Sequence, residues 1–522
     1  MNSIARTNGY AHCNDISFSS APFDYLPKIR DLDGMKKVVL LALALAFGCN
    51  PQKPVPPDID PNAVVPSWNQ VAYQNMELIG FVHFTINTFT DKEWGYGDES
   101  PTLFNPTQMD VEQWIQTAKA GGMKQLILTA KHHDGFCLWP SQFTEHSVKK
   151  SPYKNGKGDV VQEFVEACRK HGLKVGLYLS PWDRNHKDYG KPEYITYYRN
   201  QLKELLTQYG EINEIWFDGA NGGDGYYGGA NETRKIDRRT YYDWENTFAL
   251  VRELQPNIKI FSDAGPDIHW IGNERGFAGE NFWSTIMSDS LTIGGAGQEH
   301  YLNNGDPKGS DWIIGQCDVS IRPGWFYHEA EDDRVKSPQE LADIYYKSVG
   351  RNAVLLVNLP PDKRGLIHEN DVVSLKGFKQ ILDETFAVNL AQEAEATANN
   401  IRWNHNKFSP KNVLDGTLET YWATDDGVFP AELTLKFPEM VQFDRILLQE
   451  PITFGQRIAK FKIEVKRGDG WSTIYDGGTI GYKRLIRIPK ATTDEIRLAI
   501  LSANNTAAIA NFALYNSPQE EE

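Results

Sequence analysis

Mostly apolar runs of four to seven residues alternate with amphipathic segments from about residue 65 to residue 386. A run that is apolar at almost every position predicts a strand covered on both faces, as in a parallel sheet. The strand candidates are Leu78–Phe84, Gln125–Ala130, Lys174–Leu179, Glu214–Phe217, Ile258–Ser262, Trp312–Cys317 and Ala353–Asn358. Segments with helical spacing of apolar positions lie between them, among them Val111–Ala120, Val160–His171, Tyr194–Tyr209 and Arg238–Leu254.

The repeated alternation of strand and helix predicts an α/β fold, a (β/α)-barrel, for residues 65–386. An open doubly wound sheet is the alternative. No G-x-G-x-x-G pattern follows the first strand, which weakens the dinucleotide-binding form of that alternative.

The pattern changes near residue 387 to short strands separated by turns. These strand candidates are Ala431–Phe437, Arg445–Leu448, Lys460–Val465, Thr473–Tyr475, Leu485–Ile488, Glu495–Ile500 and Ala508–Tyr515. Many short strands with frequent turn residues predict an all-β sandwich for residues 387–516, followed by an acidic tail at 517–522.

The segment Met35–Cys49 contains two lysines, a short apolar stretch and a glycine before its cysteine. It is too short to span a bilayer comfortably, so it predicts a signal peptide. Its end, Ala46–Cys49, resembles a bacterial lipoprotein signal, which implies lipid attached at Cys49. A buried helix of the domain is the alternative. Because a signal peptide does not function behind a polar leader, we interpret residues 1–34 as a start-site artefact and Met35 as the first residue.

The proline-rich residues 50–64 predict a tether between this anchor and the barrel. We therefore expect an exported protein in the periplasm or at the cell surface of a Gram-negative-type bacterium. Its contact with the membrane would be made only through the N-terminal lipid anchor.

Charge and composition narrow the classes of ligand. A net charge of −15 argues against nucleic acid as a partner, because the basic surface that displaces phosphate counterions is missing. Five cysteines without a C-x-x-C pair give no metal-binding cluster. The 12% aromatic content suits stacking on sugar rings, and it suits a large β-rich core equally well.

Chemically useful side chains gather at the carboxyl ends of the predicted strands, which is where barrel enzymes place their active sites. The strand ends read His83, Lys131–Asp134, Ser180–Asp183, Trp216–Gly219, Ser262–Asp267, Arg322–Trp325 and Asn358–Pro361. Hydrolysis of a glycosidic bond usually needs two carboxyl groups. Asp218 is the candidate for the first, or a cap for the next helix. Glu274, in a polar loop, is the candidate proton donor, or simple surface charge.

The adjacent His132 and His133 suggest a metal site, but neighbours on an extended segment point to opposite sides and no third ligand has recognisable spacing. A structural role for one of the two histidines is an alternative. A neutral imidazole both donates and accepts hydrogen bonds, so these rings also suit the binding of sugar hydroxyls.

Four segments in this order, Phe81–Phe84, Lys131–Phe136, Gly176–Trp182 and Trp216–Ala220, resemble the α-L-fucosidases of glycoside hydrolase family 29. The resemblance covers roughly residues 68–386 and implies a retaining enzyme with Asp218 as nucleophile. Gly265–Glu274 is similar to the branch acting on α-1,3/1,4-linked fucose, which implies Glu274 as acid/base and Glu280 as the fallback.

The same resemblance implies which side chains contact fucose. Tyr178 or Trp182 would take the place of a tyrosine that other members have near the third strand end, and Trp325 would pack on the C5 methyl group. The full set of implied substrate-binding residues is His83, Glu93, Trp94, His132, His133, Tyr178, Trp182 and Trp325.

In the second domain, Asn412–Trp422 is similar to discoidin-like domains and family 32 carbohydrate-binding modules. That resemblance implies a structural calcium near Asp415 and Thr417, although the closing strand lacks the family's glutamate. Trp403 and Trp422 are sugar-platform candidates, with a place in the core as the alternative.

The sequence therefore predicts an exo-acting, retaining α-L-fucosidase that releases terminal fucose from oligosaccharides or glycoconjugates and needs no cofactor for catalysis. Two rival functions stay open at this point: a catalytically inactive glycan-binding surface lipoprotein, and another barrel glycosidase such as an α-galactosidase.

Overall fold

The computed structural model describes residues 56–518. Eight parallel strands close a barrel in the order β1-β8-β7-β6-β5-β4-β3-β2. The strands are β1 (Leu78–Val82), β2 (Gln125–Lys131), β3 (Lys174–Leu179), β4 (Glu214–Trp216), β5 (Lys259–Ser262), β6 (Ile268–Trp270), β7 (Ile314–Ser320) and β8 (Val354–Asn358). The predicted barrel is confirmed.

The helices of six or more residues are α1 (Trp68–Gln74), α2 (Val111–Ala120), α3 (Val160–His171), α4 (Pro192–Gln208), α5 (Trp244–Leu254), α6 (Glu299–Asn304), α7 (Pro338–Lys347) and α8 (Glu369–Thr385), and a four-residue helix, Asn87–Thr90, follows β1. Asp110 and Asp159 cap α2 and α3 by accepting the N–H of the third helical residue, so these two helices begin where they were predicted to begin. Helix α5 is shorter than the predicted Arg238–Leu254, because residues 238–243 form turns.

The structure adds one barrel strand to the predicted set and divides another. The sixth barrel strand, β6, was not predicted, because it has three residues and only residues 263–267 separate it from β5, with no helix between. The predicted Trp312–Cys317 divides in two: Asp311–Trp312 pairs antiparallel with Thr285–Ile286, and β7 begins at Ile314.

Side chains alternate between the barrel interior and the helix layer, as the two-residue period of a strand requires. Ile79 and Phe81 of β1 point inward with Tyr178 of β3, while Leu78 and Val82 pack outward beneath the helices. The interior is thus filled by aromatic rings and aliphatic side chains, which close the base of the barrel beneath the carboxyl ends of the strands.

The second domain is an antiparallel sandwich. Its strands are β9 (Glu395–Ala398), β10 (Trp422–Ala423), β11 (Ala431–Gln449), β12 (Ile458–Arg467), β13 (Gly470–Gly477), β14 (Arg484–Ala503), β15 (Ala508–Ile509) and β16 (Asn511–Tyr515). The main sheet runs β9-β11-β14-β12-β13, with β16 also on β11 and a separate β10–β15 pair. Strands β11 and β14 each join two predicted strands across register shifts.

The sandwich docks near the end of the barrel where the strands begin. Gln456 bonds to Ser284 and Asn352, and the Tyr482 hydroxyl donates to Glu77, the residue before β1. Residues 56–64, part of the predicted tether, also pack on the sandwich: Ile59 is 1% exposed, and its N–H donates to the Tyr421 hydroxyl. That part of the tether is therefore not a free linker.

The predicted start-site artefact, signal peptide and first part of the tether, residues 1–55, lie outside the described residues. Among residues 56–518, no helix has both the length and the apolar character needed to cross a membrane.

Candidate active site

A cavity of about 360 Å³ opens where the carboxyl ends of the barrel strands meet. Barrel enzymes place their reacting groups at this end, and the volume lies in the ~300–1,000 Å³ range of small-molecule sites. Nine of the ten predicted catalytic and substrate-binding residues line it: His83, Glu93, Trp94, His132, His133, Tyr178, Asp218, Glu274 and Trp325.

Asp218 lies two residues beyond β4 with its carboxylate in the cavity. The N–H of Ala220 donates to Oδ1 at 2.7 Å, and the Tyr178 hydroxyl donates to Oδ2 at 3.0 Å. Burial raises the pKa of Asp218, and these two donors act against that rise. Asp218 does not cap a helix, since α5 begins only at Trp244, so its carboxylate is available to a ligand.

Glu274 lies four residues beyond β6 at the mouth of the cavity, and its side chain is exposed. Oε2 accepts a hydrogen bond of 3.1 Å from the indole N–H of Trp325. The cavity walls still desolvate the carboxyl group. With the charges of Asp218 and Glu93 they raise the pKa of Glu274, against the effect of the Trp325 bond. A raised pKa lets a carboxyl group keep the proton that a general acid donates.

The three histidines of the cavity are buried and neutral. Burial lowers the pKa of His83 and of His133 to about 3, and lowers that of His132 well below its ordinary value. Each ring is therefore an uncharged donor and acceptor at neutral pH, which suits the binding of hydroxyl groups.

Two of these rings are oriented by neighbours. His83 Nδ1 lies 2.9 Å from Oδ1 of Asn358, and His133 Nδ1 lies 2.7 Å from Oγ of Ser180. His133 Nε2 is 4.0 Å from the carboxylate of Asp218. Nδ1 of His132 is buried without a hydrogen-bond partner among the described residues.

The metal hypothesis for the histidine pair gains no support from the arrangement. Across residues 56–518, no three or more His, Cys, Asp or Glu side chains are grouped so that they could hold a metal ion.

Trp182 is the exception among the predicted binding residues. It is 3% exposed, does not line the cavity, and donates its indole N–H to the Tyr227 hydroxyl at 3.0 Å. Its ring packs against His133 and against Trp94, which is 53% exposed at the rim. Of the two alternatives at the third strand end, Tyr178 lies in the cavity, and Trp182 supports the residues in front of it.

Two further carboxyl groups line the cavity: Asp263, in the predicted strand end 262–267 but not assigned a role, and Asp318, which was not predicted. Burial raises the pKa of Asp263 to about 7, and it raises that of Asp318 well above its ordinary value. A signal for Asp318 was present: Gln316, Asp318 and Ser320 alternate along an otherwise buried strand, the spacing of side chains that point into a barrel.

Other candidates lie away from the cavity. Glu280, the fallback acid/base, does not line the cavity and pairs with Arg484 of the sandwich at 3.4 Å. Trp422 is a fully buried core residue, whereas Trp403 is 49% exposed. The Asp415 carboxylate accepts the Thr417 N–H at 3.0 Å within its own loop, and the calcium site there stays a prediction.

Comparison with known proteins decides the family. A family model described as alpha-L-fucosidase matches residues 63–384, which is more than half of the chain. The chain belongs to the α-L-fucosidase family. A second model, F5/8 type C domain, matches residues 393–514, so the sandwich is a discoidin-like domain.

Full-length relatives agree with this assignment. Alpha-L-fucosidase 1 of Arabidopsis thaliana is 44% identical over 89% of each chain. A glycoside hydrolase 29 family member from an unknown rumen bacterium is 44% identical, with a TM-score of 0.79 over 88% of this chain and 79% of that one. A Ruminococcus gnavus family 29 fucosidase solved with fucose is 33% identical, with a TM-score of 0.80 over 89% and 97%. The protein is thus a glycoside hydrolase, an α-L-fucosidase.

Proposed function

We propose that this fucosidase is a retaining, exo-acting enzyme that removes terminal α-1,3- or α-1,4-linked fucose, with Asp218 as nucleophile and Glu274 as acid/base. The observation that carries the proposal is the pairing of two unlike carboxyl groups in one cavity. Asp218 lies inside the cavity and is held by two donors that oppose the rise of its pKa on burial, whereas Glu274, whose pKa is also raised, lies at the mouth. Such a division supports separate nucleophilic and proton-transfer roles.

In the first step, a carboxylate oxygen of Asp218 attacks the anomeric carbon of fucose. The bond from that carbon to the glycosidic oxygen breaks, and Glu274 gives its proton to the departing oxygen. The products are a fucosyl ester on Asp218 and the free aglycone, while Glu274 becomes a carboxylate.

In the second step, Glu274 takes a proton from water, and the resulting oxygen attacks the same carbon. The ester bond breaks, Asp218 leaves as a carboxylate, and fucose is released with its original configuration. Two displacements at one centre account for retention.

The rest of the cavity suits a single terminal sugar. Neutral His83, His132 and His133 offer donors and acceptors for fucose hydroxyls, and the ring of Trp325 offers an apolar surface for the C5 methyl group. The packed barrel interior beneath Phe81 and Tyr178 leaves no passage for a longer chain below the sugar, which supports exo action. The resemblance of Gly265–Glu274 supports the linkage preference.

We also propose that the enzyme is exported as a lipoprotein through Cys49, and that Asp415 and Thr417 take part in a calcium-binding loop. Mass spectrometry of the native protein would show a lipid-modified N-terminal cysteine and no residues 1–34. Calorimetric titration with CaCl₂, with Asp415→Ala as the comparison, would test the second proposal.

Activity on 4-nitrophenyl α-L-fucoside and on Lewis-type trisaccharides tests the main proposal. Asp218→Asn should lower kcat by on the order of 10³-fold or more on both substrates. Glu274→Gln should impair the trisaccharides far more than the aryl fucoside, whose leaving group needs little protonation. Glu280→Gln is the matched control and should leave both rates unchanged.

Azide distinguishes the two roles. It should restore turnover of Glu274→Ala with an azide product of retained configuration, and of Asp218→Ala with an inverted product. No fucose release by the wild type from any substrate would favour the inactive glycan-binding rival. Faster release of galactose from α-galactosides would favour the galactosidase rival.

A further inference from the structure

The His328 ring joins two loops at the rim of the cavity. Its Nδ1 lies 2.7 Å from Oδ1 of Asp91, and its Nε2 lies 2.8 Å from Oε1 of Glu93. Asp91 and Glu93 belong to the loop after β1, whereas His328 belongs to the loop after β7. The one ring therefore connects the two loops.

This geometry sets the charge of the ring. A neutral imidazole carries one N–H, so it can donate to only one of two carboxylates, whereas the imidazolium donates to both. Burial disfavours the charged ring, but the bonds to Asp91 and Glu93 outweigh it and raise the pKa of His328 above its ordinary value. The pKa of His328 is thus shifted in the opposite direction to those of the three histidines inside the cavity.

Glu93 also binds the backbone of the loop after β7. Its Oε2 accepts the N–H of Trp325 at 2.9 Å, and its Oε1 accepts the N–H of Phe326 at 3.1 Å. Gly324 makes room for this arrangement, since a Cβ there would lie 2.5 Å from Oε1 of Glu93 and 3.0 Å from the His328 ring. Both oxygens of Glu93 are thus already engaged in holding the loop.

The backbone held by Glu93 carries the indole that meets Glu274. The Trp325 N–H donates to Oε2 of Glu274 at 3.1 Å, and the Trp325 carbonyl accepts from Nδ2 of Asn358 at 2.7 Å. Asn358 also orients His83. A shift of the Trp325 backbone would therefore disturb both the acid/base contact and the wall of the cavity.

We propose that His328 is a positioning residue for the reaction: its protonated ring locks the Glu93 loop to the Trp325 loop and so sets Trp325 against Glu274. This inference rests on the proposed roles of Glu274 and the cavity, and it assigns to His328 a pH-sensitive control of substrate binding.

The charged groups facing the ring are Asp91 and Glu93. On the ring's own segment, Glu331 accepts the Gly324 N–H and pairs with Arg334. Since the pKa of His328 is raised in the folded protein, the lock is complete below its ordinary pKa and is lost as pH rises through the raised value. KM should therefore increase on the alkaline side.

Ionisation of Glu274 also lowers activity at alkaline pH, because the ionised group cannot protonate the leaving group. The test therefore needs a substrate whose leaving group requires no proton. Fucosyl fluoride serves this purpose, because fluoride departs without protonation. We would measure kcat and KM for this substrate from pH 5 to pH 9 with the wild type, His328→Gln and His328→Lys. The control is His171→Gln, a histidine of similar exposure that pairs with Glu112 at 3.6 Å and lies at the end of α3, away from the cavity.

His328→Gln should raise KM about 5- to 20-fold at pH 6, change kcat by less, and show no further alkaline rise in KM. His328→Lys keeps a positive charge and should hold KM below that of His328→Gln at pH 8–9. His171→Gln should match the wild type. An identical KM–pH profile in wild type and His328→Gln would overturn the inference while leaving the proposed fucosidase function intact. A wild type without activity would instead overturn the proposed function.

Discussion

The hydroxyl of Tyr178 donates a 3.0 Å hydrogen bond to Oδ2 of Asp218 from the neighbouring barrel strand. The tyrosine is fully buried, and burial together with the adjacent Asp218 charge raises its pKa well above the ordinary value, so it stays protonated and acts only as a donor. The nucleophile is therefore held by a neighbour that cannot compete with it for a proton.

Tyr178→Phe should weaken catalysis through the ionisation of Asp218. The bond stabilises the carboxylate, so its loss raises the pKa of Asp218 and moves the acidic limb of kcat/KM to higher pH. A hydrogen bond to a charged group contributes about 1.5–3 kcal/mol, so we expect a loss of roughly 10- to 100-fold in kcat/KM at pH 5. An unshifted acidic limb in the pH–rate profile would contradict this role.

Trp325→Phe should raise the pKa of Glu274 and so change the basic limb of the pH–rate profile. The indole N–H stabilises the ionised carboxylate, so its removal raises the pKa of Glu274 further. The basic limb of kcat/KM for a trisaccharide should move to higher pH, with Trp94→Phe as the comparison at another rim tryptophan. A shift to lower pH would show that the bond does not favour the carboxylate.

Asp263→Asn should make the fold less sensitive to pH. Burial beside Asp218 raises the pKa of Asp263 to about 7, so folding disfavours its ionisation, and stability falls as pH rises from about 4 to 7. The amide cannot ionise and can still accept the Gly294 N–H. Thermal melts at pH 5 and pH 8 should show a smaller drop in Tm for the variant, whereas equal drops would refute the effect.

Gln456→Ala should loosen the contact between the two domains. The Gln456 side chain is buried and bonds to the Phe282 carbonyl, the Ser284 N–H and the Asn352 amide. Its removal leaves these groups unsatisfied, at about 1–3 kcal/mol for each buried group. Calorimetry should show a Tm lower by about 2 °C or more. Gln442→Ala, at an exposed position on β11, should leave Tm unchanged.

Local sequence patterns predicted most of the barrel, because a buried parallel strand must be apolar on both faces. Seven of the eight strands carry that signal, and β6 does not, since three residues are too short to show it. In the sandwich, the exposed residues 438–440 interrupt β11 and made one strand resemble two. Pairing with β14 on both sides of these residues makes β11 one strand. Because β14 is distant in the sequence, a local pattern does not show this pairing.

Site residues that come immediately after a barrel strand in the sequence could be predicted. The rule that barrel strands present their carboxyl ends to the active site placed Asp218 and His83 there, and the family resemblance implied their roles. The sequence did not reveal that Trp182 turns behind His133, nor that His328 bonds to Glu93 from 235 residues away. Both depend on how loops from different strands meet.

The covalent intermediate is the most direct test of Asp218 as the nucleophile. A 2-deoxy-2-fluoro-α-L-fucosyl fluoride should slow the second step more than it prevents the first, and so trap the ester. Intact-protein mass spectrometry should show the addition of one fluorofucosyl group, and peptide mapping should place it on Asp218. A label on another carboxyl group, or an active wild type that releases β-fucose from an α-fucoside as its first product, would contradict the account.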